Sequence, residues 1–130
     1  MNTKTASAII GIIFIAVGIL GFVDNPIIYD SDTAIFHANA LHNSIHLGSG
    51  VLSLLFALAA PSSAGTFLKI FGFIYLFLGI LGLINIGTTG MGELLGFLHV
   101  NGADNLLHVG LGVMILLAGF LPSATARAAE

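Results

Sequence analysis

The chain contains no cysteine and no tryptophan, and its 130 residues include only three Lys or Arg and six Asp or Glu. Without cysteine there are no disulfides, no thiolate metal sites and no thiol redox chemistry, so any chemistry must use His, Asp, Glu, Asn or Tyr. A formal charge of −3 with no basic cluster argues against nucleic acid as a partner and against an electrostatic switch on anionic lipid. No serine stands in a nucleophile setting with a paired base and no phosphate-binding glycine loop is present, so nothing in the sequence points to catalysis. The charged fraction of 7% is well below the roughly 25% of a globular domain. Apolar residues make up 57% of the chain and mean hydropathy is +1.08, so the expected solvent is the lipid bilayer. The period-2 alternation of a membrane β-barrel is missing.

Four uncharged or nearly uncharged runs can be marked, at residues 6–23, 41–60, 67–86 and 105–121. Each is close to the roughly 20 residues that an α-helix needs to cross a hydrocarbon core about 30 Å thick. Short interruptions leave no room for a soluble domain, so residues 1–130 read as a single membrane domain. The first run follows Lys4, but no small-x-small cleavage site follows it, and it is expected to stay as a mature helix. Lys4, Lys69 and Arg127 fall on one side of a four-crossing topology, and Asp24, Asp30, Asp32, Glu93 and Asp104 on the other. The positive-inside rule then makes both termini cytoplasmic. Lys69 is expected to snorkel to the headgroups. Asp32 or Thr33 is expected to cap a short segment ending at His37, residues 91–98 to form one or two interfacial helical turns, and residues 122–130 to fray.

The chain repeats itself. Gly11, Gly18 and Gly21 return as Gly72, Gly79 and Gly82 at an offset of 61 residues, and the polar stretch of the second run returns in the fourth at an offset of 62. His37, Asn39, His42, Asn43 and His46 thereby correspond to His99, Asn101, Asp104, Asn105 and His108. The expected fold is an all-α integral membrane protein of four transmembrane helices, built from two tandem helix hairpins at about 6–60 and 67–121. An even number of crossings separates the copies, which gives them a pseudo-two-fold axis along the membrane normal. The repeated glycines, with Gly48, Gly50, Gly110 and Gly112, read as points where helix backbones approach closely.

Two readings compete for the polar residues. Asn39 and Asn101 have the position of helix N-caps, with Asp104 as an acidic first-turn partner. Asn43, His46, Asn105 and His108 then serve as interhelical hydrogen-bonding groups worth on the order of 0.6 kcal/mol each. On this reading the protein is a noncatalytic scaffold or accessory subunit that meets a membrane-protein partner or a second copy of itself. Alternatively, His42 over His46 and Asp104 over His108, at i and i+4, place three imidazoles and a carboxylate on two helices. That set suits a transition metal, with His37 and His99 in reserve, or a haem held between His46 and His108. Several imidazoles beside a carboxylate also suit a proton-coupled transporter or channel.

The arrangement Phe36-His37-Ala-Asn39-Ala-Leu-His42-Asn43-Ser-Ile-His46-Leu, with Val100-Asn101-Gly-Ala-Asp104-Asn105-Leu-Leu-His108-Val-Gly-Leu-Gly112, resembles a bacterial membrane-protein family catalogued as domain of unknown function 4383. The resemblance covers nearly the whole chain, and Ala40 departs from it where many relatives place proline. It implies a four-helix protein of the bacterial plasma (inner) membrane and assigns no activity.

Overall fold

The computed structural model describes residues 1–123. Four helices dominate it: α1 (Thr3–Leu20), α2 (Ala40–Ala59), α3 (Ala64–Asn85) and α4 (Gly102–Ala118). Three of their starts follow from polar caps, which precede the apolar runs by two to four residues. Asn2 accepts from the Thr5 N–H, Asn39 from His42 and Asn101 from Asp104, each satisfying an amide that the first turn leaves unpaired. At α3 a 3-10 turn over Pro61–Ser63 leads directly into the helix.

The helices α1, α2 and α3 are each long and apolar enough to cross a membrane; α4 is apolar but shorter, at 17 residues. Their outward faces carry large apolar side chains with no protein cover, including Leu58, Ile84, Met114 and Phe120. Three spanning-length apolar helices with large apolar side chains on their outward faces are consistent with a membrane protein.

Packing is tightest within two antiparallel pairs, α1 on α2 and α3 on α4. Glycine permits the approach. A Cβ added at Gly11 would stand 2.9 Å from the Gly50 carbonyl, and one at Gly72 would stand 2.8 Å from the Gly112 carbonyl. Gly18 faces Leu47, and Gly79 faces Val109 in the same way. Gly48 and Gly110 differ from the expectation: nothing lies within 4 Å of a Cβ built at either. They sit two residues from Gly50 and Gly112, and that spacing turns them to the opposite side of the helix. The α1–α2 pair is also tied by reciprocal bonds, Ser7 Oγ donating to the Ser53 carbonyl and Ser53 Oγ to the Ser7 carbonyl, both at 2.8 Å.

Between the pairs lies a core of Ala6, Phe14, Leu68, Phe71, Tyr75 and Ile115. Phe67, Phe71 and Tyr75, four residues apart along α3, stack one above another with ring centroids 5.1 Å and 4.7 Å apart. The ladder runs up to the histidines described below. At its far end the Thr3 amide donates to the Pro122 carbonyl, joining the start of α1 to the end of α4. Lys4 and Lys69 occupy this end, with Lys69 Nζ 4.3 Å from the Phe120 ring centroid; Arg127 and the rest of 124–130 lie outside the described residues.

The opposite end is where the expectation fails most clearly. Residues 91–98 do not form helical turns. Strands β3 (Met91–Leu94) and β4 (Leu98–Asn101) form an antiparallel hairpin, while β1 (Ile28–Tyr29) and β2 (Phe36–His37) make a two-residue parallel pair. Gly90, Gly92 and Gly96 each penalise a helix by about 1 kcal/mol. A strand instead lets Leu94, Leu98 and Val100 bury together against Leu78, Leu81 and Ile86. Leu95 and Gly96 turn the hairpin at φ of 57° and 79°. The segment from Asp32 to His37 is likewise not capped as a helix; Ser31 supplies the turn, accepting from Thr33 N–H at 3.3 Å.

Candidate metal centre

The two loops cross over one another, and the capping asparagines hold them. While Asn39 Oδ1 caps α2, its Nδ2 donates to the Phe97 carbonyl at 2.8 Å. Asn101 Oδ1 caps α4 and its Nδ2 donates to the Ile35 carbonyl at 2.9 Å. Each cap therefore reaches into the loop of the other helix pair. Asn43 Nδ2 donates to the Gly21 and Ala38 carbonyls, and Asn105 Nδ2 to the Gly87 carbonyl, so each closes the C-terminal end of the helix it packs on. Asn43 Oδ1 and Asn105 Oδ1 are buried with no hydrogen-bond partner among the described residues.

Asp104 joins them. Its Oδ2 accepts from the backbone N–H of Asn101 and of His37, both at 2.9 Å, completing a capping box on α4 and fixing the first loop to it. His42, at the matching position of α2, does the converse: Nδ1 lies 2.8 Å from the His99 carbonyl and donates to it. The carboxylate is thus engaged by backbone amides and stands outside the histidine group.

That group is His42, His46 and His108, all buried, each offering a ring nitrogen within 4.8 Å of the others. Centroids are 4.6 Å apart for His42 and His46, 5.5 Å for His42 and His108, and 6.1 Å for His46 and His108. Tyr75 and Phe14 wall the group from below, with Tyr75 5.4 Å from His108 and Phe14 5.7 Å from His46. Tyr75 Oη reaches Ser49 Oγ at 3.5 Å, the outer limit of a hydrogen bond. Because His42 Nδ1 is bound to a carbonyl, its Nε2 carries a lone pair. His46 Nδ1 and His108 Nδ1 are buried without a hydrogen-bond partner among the described residues. A cavity of about 120 Å³ with almost wholly apolar walls lies beside them, between α1 and α4.

Sequence reasoning placed His37 and His99 with these three. In the fold they stand apart, stacked on one another 5.2 Å between centroids, His37 buried and His99 half-buried. Asp30 joins them, its Oδ1 2.7 Å from His99 Nδ1 and 3.3 Å from His37 Nε2. Glu93 lies 3.5 Å from His99 Nε2. The hydrogen bond that His99 donates to Asp30, with the charges of Asp30 and Glu93, holds His99 above the ordinary histidine range. Asp30 was missed because it lies seven residues before His37 in a loop, where no periodicity applies; the only signal was a carboxylate in a turn.

The family model described as Domain of unknown function (DUF4383) matches residues 4–121. The chain belongs to that family. The match spans all four helices and both histidine groups of this DUF4383 protein. Comparison with curated proteins and with solved structures found no match.

Proposed function

We propose that this DUF4383 protein is a membrane-embedded metal-binding protein whose ion is held by His42, His46 and His108. The observation that carries the reading is a buried trio of imidazoles in which His46 Nδ1 and His108 Nδ1 have no protein partner. A buried polar atom without a partner costs roughly 1–3 kcal/mol, and two such atoms on adjacent rings call for something that binds lone pairs. Three neutral imidazoles suit Zn²⁺ or another late first-row ion, with a fourth position left for water or an anion. The His99 carbonyl on His42 Nδ1 is the outer-shell contact that orients a ligating histidine. Tetrahedral Zn–N bonds require ligand nitrogens about 3.4 Å apart, and the three rings offer nitrogens within 4.8 Å of one another. A single ion fits better than haem, because His42 and Tyr75 fill the space between His46 and His108 that a macrocycle would need.

The scaffold reading accounts for Asn39 and Asn101, whose amide atoms are all engaged, and for the Nδ2 bonds of Asn43 and Asn105; it supplies no partner for His46 Nδ1 or His108 Nδ1, nor for the buried Oδ1 atoms of Asn43 and Asn105. We take the bundle as the frame of the metal centre, with lipid around it. In this architecture α4 is a fourth crossing and each pair is one copy of a tandem hairpin, related by a pseudo-two-fold axis. The matched glycine contacts and the exchanged asparagine caps support that arrangement. Lys4 and Lys69 at one end, with Asp30, Asp32 and Glu93 at the other, support cytoplasmic termini in the bacterial plasma membrane.

The test is metal content. Protein purified in detergent without chelator, beside His46→Gln and His108→Gln, should carry stoichiometric zinc, copper or iron that both variants lose. Equal metal in all three would refute the assignment.

A further inference from the structure

The surface group of Asp30, His37, His99 and Glu93 has more lone pairs than protons to fill them. His37 Nδ1 faces the Ser31 carbonyl at 3.2 Å and donates to it, so the neutral ring turns an Nε2 lone pair toward Asp30 Oδ1. His99 has Asp30 on Nδ1 and Glu93 on Nε2, so whichever nitrogen carries the proton, the other turns a lone pair toward a carboxylate. With His99 neutral, two imidazoles face two carboxylates across three contacts, of which one has a ring proton to bridge it; a proton on His99 bridges a second but still leaves the His37 Nε2 lone pair against Asp30. A divalent ion between the groups satisfies all three contacts and cancels the two negative charges. The groups line an open concavity of about 440 Å³ to which Asp32 also contributes. Asp30, His37 and His99 each offer a ligand atom within 4.8 Å of the others.

We propose that Asp30, His37 and His99, with Glu93 beside them, form a second, outward-facing site for a divalent transition-metal ion, from which the buried centre is loaded. The ligand set is mixed oxygen and nitrogen, open to solvent, and suits capture of a hydrated ion better than retention of one. The two sites are adjacent: the backbone carbonyl of the outer ligand His99 is the group that orients the inner ligand His42. The loading role rests on the buried centre proposed above, whereas the outer site stands without it.

Protein stripped of metal by a chelator, then freed of the chelator, would be titrated with Co²⁺ in detergent. Bound equivalents are read by equilibrium dialysis and the entry rate by the visible absorption of the nitrogen-rich inner site. Two equivalents are expected for the unaltered protein and one for His99→Gln, which keeps the backbone carbonyl that His42 uses. Asp30→Asn, a change at an exposed side chain, should behave like His99→Gln, and inner loading should slow at least tenfold in both. If both variants still bind two equivalents, the outer site is refuted. If they bind one but load it at the unaltered rate, the loading role is refuted. A single equivalent in the unaltered protein that His99→Gln loses and His46→Gln keeps would uphold the outer site while overturning the buried centre. No bound Co²⁺ at all would overturn both.

Discussion

Gly110 and Gly112 lie on the same helix, two residues apart, and replacing each by alanine should have opposite consequences. A methyl at Gly112 would stand 2.5 Å from Leu76 Cα, with the Leu76 backbone nitrogen nearer still. Ordinary carbon contacts are near 3.5–4.0 Å, so α3 and α4 must separate by roughly 1 Å. Overpacking of this kind costs about 1–3 kcal/mol, which is about a five- to 150-fold drop in the folding equilibrium. At Gly110 nothing lies within 4 Å, so alanine meets no atom and gains up to about 1 kcal/mol by restricting the unfolded chain. The pair of variants shares helix, composition change and membrane depth, so the difference between them reports close packing alone. Equilibrium unfolding in mixed micelles with increasing dodecyl sulfate, followed by far-ultraviolet circular dichroism, would measure it. Gly50→Ala against Gly48→Ala repeats the comparison on α2. Equal effects at both positions of either pair would refute the packing argument.

Asp104→Ala should cost about 2–4 kcal/mol, because two backbone amides lose a charged acceptor, yet leave metal content unchanged; Asp104→Asn should recover part of that stability. Loss of metal in Asp104→Asn would mean that the carboxylate is a ligand after all. Leu95→Gly should stabilise the β3–β4 hairpin by about 1 kcal/mol, since a branched side chain at φ 57° is strained, and hydrogen exchange at Val100 would slow accordingly. In metal-free protein the His99–Asp30 pair should favour the fold at low pH. With the folded value of His99 raised, its contribution is complete below the unfolded value of about 6.5 and is lost as pH rises through the folded one. Carbon-13 shifts of the His99 ring would show the titration, and a midpoint below 6.5 would contradict it. Ser7→Ala and Ser53→Ala should each cost about 0.6 kcal/mol or less, and the double variant less than their sum, because the two hydroxyls bond reciprocally.

The helices were legible because lipid writes length and apolarity directly into sequence. At α1 and α3 the helix begins three residues before the apolar run, since Thr3 and Ala64 open a hydrogen-bonded turn before hydropathy rises, whereas α4 begins directly after its expected cap, Asn101. Caps at Asn39 and Asn101 were visible from residue type and position, and the structure adds what no spacing could, that each amide reaches into the other loop. The hairpin at Met91–Asn101 was missed although Leu98-His99-Val100-Asn101 alternates, because four residues are too few for a period to stand out from an apolar run. Gly48 and Gly50 look equivalent in sequence and are not, for only the packed partner distinguishes the two faces. The same applies to the histidines: helical spacing brought His42 over His46, but which loop residue faces Asp30 depends on the crossing of the two loops. Asp104 and His42 occupy matching positions and bind the opposite loop in opposite senses, one accepting an amide and the other donating to a carbonyl.

The central claim is that three imidazoles, not two and not a carboxylate, hold one ion in the bundle. X-ray absorption at the zinc edge, on His99→Gln protein loaded with one equivalent of Zn²⁺, tests it most directly. The account predicts three imidazole nitrogens near 2.0–2.1 Å and one further light atom, with the signal of bound imidazole falling in His46→Gln. A first shell of oxygens alone, or a spectrum unchanged by His46→Gln, would contradict it.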